Sequence, residues 1–365
     1  MEPALIIADE PTTALDITTQ AQILRLLHDL QDRHRSGILF ITHDFDVVRE
    51  IADRVIVMRY GEVVESGAVA DVLEHPQHPY TRMLLDAVPD GRMKPEEGER
   101  TEPLLEIDAL GLTFGRRGFG GRRVTRALDN VTLTLARGET IGIVGESGSG
   151  KTTLGRCLTR FATPTEGAIR FLGRDISLYS RPEEKRYRRS VQMIFQDPYR
   201  SLNPRRRILD ALTEGPVEHG VQRRTAEARA AELMEQVGLP ADALSRYPHQ
   251  FSGGQRQRIA IARALAMDPE LIVADEAVSA LDVSVQAQVL ELMETLRAKL
   301  GFALVFITHD LRVAARLCDR IAVMHRGKVV EMGKVSSVFL NPEHDYTRSL
   351  LNAIPGRGRR GTSMI

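Results

Sequence analysis

The sequence of 365 residues has no tryptophan, only two cysteines and 5% aromatic residues. The scarcity of cysteine excludes a disulfide framework. Cys157 and Cys318 lie far apart, in segments that read as helices. They fit buried thiols of a reducing cytoplasm better than a disulfide or a metal site. Long apolar runs are also missing. ILFI (38–41) and LVFI (304–307) are far short of the ~18 residues a membrane span needs, so any membrane crossing would fall to other subunits. The first residues, MEPALIIADEP, show no basic segment and no small-residue cleavage site, and no secretory leader is expected. Neither sign of charge dominates: 49 Lys and Arg balance 49 Asp and Glu. That balance argues against a nucleic-acid partner. The local basic clusters (Arg116, Arg117, Arg122 and Arg123; Arg205 to Arg207; Arg357, Arg359 and Arg360) read as solvated loops and tail. What is present is a globular composition, 42% hydrophobic and 27% charged, in a chain long enough for two or three units.

The chain repeats itself. Residues 1–89 align with 267–355 without a gap, and 42 of the 89 pairs are identical. MEPALIIADEPTTALD pairs with MDPELIVADEAVSALD, ILFITHD with LVFITHD, and HPQHPYTRMLLDAVP with NPEHDYTRSLLNAIP. The second copy continues upstream to about Leu104, whereas Met1 aligns with Met267, inside that copy. The expected organisation is therefore a partial first copy (1–88), a linker (89–103), a complete domain (104–355) and a disordered tail (356–365). A truncated chain or a misplaced start codon is the expected origin of the missing part. The linker is rich in proline, glycine and charge.

In the complete copy, short apolar segments alternate with amphipathic ones, which predicts an α/β fold with a mainly parallel sheet. TIGIVG (140–145), LIVAD (271–275), ALVFIT (303–308) and RIAVM (320–324) have the continuous apolar character of strands covered on both faces. LEIDALGLTF (105–114), NVTLTLA (130–136) and AIRFLG (168–173) read as antiparallel strands at one edge. VSVQAQVLELMETLRAKLG (283–301) reads as a helix stopped by glycine. Residues ~200–266 read as an inserted helical subdomain.

Three motifs carry chemistry. The first is GESGSGKT, which fits the P-loop pattern between a strand and a helix. Gly145, Glu146, Ser147, Gly148, Ser149 and Gly150 would wrap backbone N–H groups round the phosphates, with help from the helix N-terminus. Lys151 would neutralise phosphate charge, Thr152 would ligate Mg²⁺, and Thr153 completes the loop. The second is LIVADE, which places two carboxylates at a strand end. Asp275 would hold Mg²⁺ through water, and Glu276 would polarise the attacking water. The first copy repeats them as Asp9 and Glu10. The third is FSGGQRQRIAIARAL, in which Ser252, Gly253, Gly254 and Gln255 crown a helix start that attracts anions.

With these residues in place the chain resembles the ABC-type ATPases. That resemblance implies a P-loop NTPase fold of the ABC nucleotide-binding type, with an antiparallel β edge subdomain and an inserted helical subdomain. Phe251 stands where that family usually has leucine. In the family two motor domains meet head to tail, and the signature of one caps the phosphate at the P-loop of the other. The resemblance also implies that Gln196 touches Mg²⁺ and the attacking water, that Asp282 of SALD crosses the dimer interface, and that His309 contacts the γ-phosphate. The first copy retains Asp16 and His43 at the matching places. Phe114 is the candidate for stacking on adenine, with Phe119 second.

FQDPYRSLNP and the HPYT and HDYT segments resemble the oligopeptide/dipeptide importer ATPases, fused type. This implies ATP and Mg²⁺ as cofactors, two permease subunits, a solute-binding protein, a second ABC ATPase domain and the cytoplasmic membrane face. No iron–sulfur cluster is expected, and His75, His78 and His344 read as surface residues rather than ligands. The rival expectation is an ABC ATPase without transport, such as a translation or DNA-repair factor. The linker of ~15 residues bears no coiled coil or zinc insertion to favour it.

Overall fold

The computed structural model describes residues 3–12, 16–34, 36–88, 93–94, 102–115, 124–279 and 281–354. Phe119, the end of the chain from 355 onward and most of the linker lie outside them.

The first unit runs β1 (Leu5–Asp9), α1 (Ile17–His34), β2 (Gly37–Ile41), α2 (Phe45–Ile51), β3 (Arg54–Arg59), β4 (Glu62–Ala68), α3 (Val69–Glu74) and α4 (Pro79–Ala87). β1 and β2 pair in parallel, while β3 and β4 form a separate antiparallel pair. Its buried cluster is small, namely Val57, Val72 and Leu73 with partly buried neighbours.

The second unit opens with β5 (Pro103–Gly115) and β6 (Val124–Ala136), followed by β7 (Thr140–Val144) and α5 (Lys151–Leu158). Next come β8 (Glu166–Phe171), β9 (Arg174–Asp175), α6 (Arg181–Ser190) and β10 (Val191–Ile194). A helical stretch follows: α7 (Pro198–Ser201), α8 (Ile208–Glu218), α9 (Arg223–Gln236) and α10 (Gly253–Leu265). The remainder is β11 (Leu271–Asp275), α11 (Val283–Leu300), β12 (Ala303–Thr308), α12 (Leu311–Leu317), β13 (Arg320–His325), β14 (Lys328–Lys334), α13 (Val335–Leu340) and α14 (Asp345–Asn352).

The core sheet has the order β10-β11-β12-β7-β13-β14. It is parallel except for the β13–β14 pair. β7, β11 and β12 are buried along their whole length, which is why their sequences are apolar without alternation. One face packs on α5 and the strands β5, β6 and β8, through Ile141, Ile143, Leu154, Cys157 and Leu158. The other face packs on the helices, through Ile272, Leu304, Phe306, Leu265 and Val289. Each such fully buried side chain contributes about 1.5–3 kcal/mol of transfer free energy.

Two expectations need correction. The antiparallel strands do not edge the core sheet; they form a sheet of their own, β6-β5-β8-β9. Register shifts between Ile107 and Leu110 and between Leu110 and Leu112, with positive φ at Ala109 and Asn130, bend the long β5–β6 pair. Such bulges let it fold over α5 rather than continue the core sheet. The second correction concerns Cys318, which is not inside a helix but caps α12 at its C-terminal end. Both thiols are free and buried, in different clusters, and burial pushes Cys157 up to about 11. The short strand β10 escaped the sequence reading, as did the amphipathic helix α6, which starts on a Ser180–Glu183 capping box.

The elements of the first unit recur in type and order in β11 to α14 of the second. Both β-hairpins even carry a register shift at the same place, Val57/Met58 and Val323/Met324. The surroundings differ. Ile7 of β1 is 64% exposed, whereas its counterpart Val273 of β11 is 0% exposed. The units meet where Asp46 pairs with Arg312. These two residues are paired in the alignment of residues 1–89 with 267–355.

Candidate functional site

β7 delivers the chain to Gly145, which has φ +149. A Cβ there would lie 2.2 Å from the Met324 carbonyl oxygen at the end of β13, so only glycine lets the loop leave the sheet here. The loop folds over itself to Gly150, a left-handed cap that starts α5 at Lys151. The turn after β13 braces it: Gly327 N–H donates to Ser149 O at 2.9 Å. Lys151 Nζ donates to the carbonyls of Gly145 and Glu146 at 2.6 and 2.8 Å. Burial pulls the lysine below its usual range, against the opposing pull of Glu276 and Asp275.

β11 and β12 lie side by side and bring their ends to this loop. Thr152 Oγ1, on the first turn of α5, donates to Asp275 Oδ1 at 3.1 Å. Burial pushes Asp275 upward despite that bond. Glu276 leaves the strand in a left-handed conformation, φ +47. Its carboxylate is bracketed: Gln196 Nε2 donates to Oε2 at 2.7 Å, and His309 Nδ1 lies 3.5 Å from Oε1. The hydrogen bond from His309 holds Glu276 below the usual carboxylate range. Burial works against protonation of His309, but Glu276 outweighs it and the imidazole is raised.

Gln196 is fixed by the chain that follows it. Tyr199 of α7 lies under the Arg256 guanidinium, 3.9 Å from ring centroid to Cζ. Arg256 also donates to Pro248 O at 2.7 Å, and Arg263 donates to Ser201 O. Both arginines sit on α10, so the Gln196 segment is latched to that helix. At the tip of α10, Ser252 and Gln255 close a capping box on each other, at 3.3 Å and 3.0 Å. Ser252 and Gln255 are exposed and Gly253 and Gly254 half-buried. Asp282, the N-cap of α11, is exposed as well. Phe114 is 52% exposed at the open end of the β5–β6 pair, opposite Thr125.

The structure thus brings together the P-loop, Asp275, Glu276, His309 and Gln196. It adds Asp16, whose carboxylate accepts the Thr19 N–H at 2.9 Å and is stabilised by the Ser147 backbone of the P-loop. Burial raises Asp16, but those bonds prevail and its pKa is lowered. Asp16 is the repeat mate of Asp282, so the repeat itself held the signal for this contact. His78 and His344 have jobs that sequence reading missed: each caps a helix by accepting the N–H two residues on, at 3.1 Å. Among the described residues no group of three or more His, Cys, Asp or Glu could hold a metal ion.

A glycine-wrapped lysine loop at the C-terminal end of a parallel sheet, with a carboxylate pair beside it and a capped Gly-Gly helix tip elsewhere on the same unit, defines a P-loop nucleotide-binding cassette. The comparisons agree. The family described as ABC transporter matches residues 128–279. The family described as oligopeptide/dipeptide transporter, C-terminal region, matches residues 64–113 and 330–362. The chain is 48% identical over 382 aligned residues to the glutathione import ATP-binding protein GsiA of Escherichia coli (strain K12), covering 97% of this chain and 61% of that protein. The values are the same for GsiA of Shigella flexneri. Among solved structures, the ATP-binding cassette MJ0796, a dimer in a post-hydrolysis state bound to ADP and Pi, superposes with TM-score 0.57. It is 30% identical, and the match covers 63% of this chain and 98% of that one. cbiO1 from Clostridium perfringens, part of the transporter complex cbiONQ, gives TM-score 0.58 at 26% identity, covering 66% of this chain and 92% of that one. The chain belongs to the ABC transporter family of ATP-binding cassettes. It spans about three fifths of the length of the curated relatives it matches (61%).

Proposed function

We propose that this chain is the ATP-binding and ATP-hydrolysing motor of an ABC importer for oligopeptides, dipeptides or a related small solute. Glutathione, named for the curated relatives, belongs to that class. One observation carries the reading: the Glu276 carboxylate, kept ionised by His309 and aimed by Gln196, stands beside a lysine loop built for phosphates.

The loop amides and Lys151 bind the triphosphate, and Phe114 stacks on the adenine. Thr152, Asp275 and Gln196 offer hydroxyl, carboxylate and amide oxygens, the hard donors that Mg²⁺ takes; a bound ion would neutralise phosphate charge. Glu276 takes the proton of the attacking water, while His309 holds the carboxylate in place and meets the γ-phosphate. Ser252 to Gln255, with Asp282, serve the facing site of a second cassette in a head-to-tail dimer. Closure of that dimer pushes through Gln196 and the α7 latch on two permeases fed by a solute-binding protein, at the cytoplasmic membrane face.

Residues 1–88 read as part of a second cassette. The repeated sequence, the matching element order and the exposed faces of β1 and β2 support this. The contact of Asp16 with Ser147 supports a cis role for this part at the P-loop.

The test is Mg²⁺-dependent ATP binding and hydrolysis by the whole chain. Lys151→Ala is expected to weaken binding at least about tenfold, since it removes a charge-assisted phosphate contact. No measurable affinity in the unaltered chain would refute the proposal.

A further inference from the structure

The HDYT segment lies on α14, outside the reaction just proposed. Its tyrosine nevertheless reaches the P-loop. Glu146 N–H donates to the Tyr346 hydroxyl at 3.1 Å. The carbonyl of the same amide, Gly145 O, accepts from Lys151 Nζ at 2.6 Å. In a planar trans amide, N–H and C=O point in opposite directions from one rigid unit. Hydroxyl, amide and ammonium therefore form one line, in which each hydrogen bond polarises the next. If the amide tips, the lysine loses the shorter of its two carbonyl acceptors.

Tyr346 is itself held firmly. Its ring packs on His325, with centroids 4.0 Å apart. Its own N–H donates to His344 Nδ1 at 3.1 Å. The Glu331 carboxylate accepts the N–H groups of Glu343 and His344 at 2.9 and 3.0 Å, and Arg348 Nε donates to Pro342 O at 3.1 Å. Burial pushes the phenol up to about 12, so it stays a neutral hydroxyl able to accept.

The first unit provides a built-in comparison. There Glu65 accepts the N–H groups of Gln77 and His78 at 2.7 and 3.2 Å, and His78 caps the N–H of Tyr80. The scaffold is the same, yet the Tyr80 ring lies under the Arg59 guanidinium, 4.7 Å from Cζ. With no P-loop in residues 1–88 for it to reach, Tyr80 serves as the control on the same scaffold.

We propose that Tyr346 is a positioning residue for Lys151. It fixes the Gly145–Glu146 amide so that the carbonyl presets the ammonium for the incoming phosphates. The inference rests on the reading of the P-loop as the ATP site.

The experiment compares MgATP affinity, KM, kcat and thermal stability of the whole chain with those of Tyr346→Phe, which keeps the ring and removes the hydroxyl. Kd and KM are expected to rise roughly three- to tenfold with kcat held within about twofold, the range of one net hydrogen bond. The melting temperature without nucleotide should fall only slightly, as the loss of one hydrogen bond allows. Tyr80→Phe should leave affinity unchanged. In a Lys151→Ala background, Tyr346→Phe should cost nothing more, because its effect passes through the lysine. Unaltered affinity in Tyr346→Phe overturns the proposal. So does a fall in melting temperature and kcat with unchanged KM, or a loss that adds fully to that of Lys151→Ala. If the unaltered chain binds no MgATP, the functional reading itself fails, and this inference with it.

Discussion

In the proposed mechanism, turnover depends on Glu276. Its carboxylate must be ionised and aimed, and two neighbours do this: His309 at 3.5 Å and Gln196 at 2.7 Å. Glu276→Gln is expected to keep ATP affinity and to lower kcat by roughly 10²- to 10⁴-fold, the usual range for a positioned general base. Hydrolysis at the unaltered rate would remove Glu276 from that role. The same pair sets a pH dependence of stability. Glu276 is depressed below 4.5, so its contribution is present above that value and is lost as pH falls through the folded pKa. His309 is raised above 6.5, so its contribution is full below that value and is lost as pH rises through the folded pKa. Both contributions coexist between about 4.5 and 6.5, the two ordinary values. The melting-temperature gap between the unaltered chain and His309→Gln should therefore be wider at about pH 5.5 than at about pH 8.5. An equal gap at both would show that the pair is not ionised as described. The strand-end positions of Glu276 and His309 were legible from the sequence, because an acid pair after four apolar residues and a histidine after LVFIT mark strand ends; the role proposed for His309 came from the family resemblance. The contact of Tyr346 was not legible, and that of Asp16 was signalled only through its repeat mate Asp282. Their contacts join segments 200 and 131 positions apart, and nothing local marks them (346 against 146; 16 against 147).

At the scale of elements, the P-loop is held by neighbours that leave it no room. Gly145→Ala would put a Cβ 2.2 Å from a backbone oxygen at φ +149. The expected cost is on the order of 2 kcal/mol, with nucleotide affinity lost as the loop shifts. Chemical denaturation and ATP titration of this variant check both. The capping box of α6 offers a contrast far from the chemistry. Ser180→Ala removes the hydroxyl that meets Glu183 and should cost about 1 kcal/mol in denaturation with ATP turnover unchanged. The buried strands β7, β11 and β12 were readable as such because burial on both faces demands apolar residues throughout. The separate antiparallel sheet was not, because its placement over α5 depends on bulges at Ile107 and Leu110 that leave no pattern in the sequence.

At the scale of the molecule, the two units differ in how much core each owns. β1 alternates between exposed and half-buried residues, whereas its counterpart β11 is buried throughout. Amide hydrogen exchange of the whole chain should therefore be faster at Leu5–Asp9 than at Leu271–Asp275 by orders of magnitude, since protection follows local opening. Equal protection would mean that residues 1–88 are as firmly packed as the second unit. The Asp46–Arg312 pair ties the first unit to the second, and the Ser147 backbone of the P-loop acts on the Asp16 carboxylate.

Sequence alone determined the repeat, the buried strands, the lysine loop and the carboxylate pair, because each is a local pattern imposed by backbone geometry or by burial. Only the tertiary structure decided which distant groups press on the loop. It put Tyr346 on the Glu146 amide, Asp16 on Ser147, and Tyr199 under Arg256. Those pairings depend on how helices and hairpins pack in three dimensions, and packing direction is not written into any single stretch of chain.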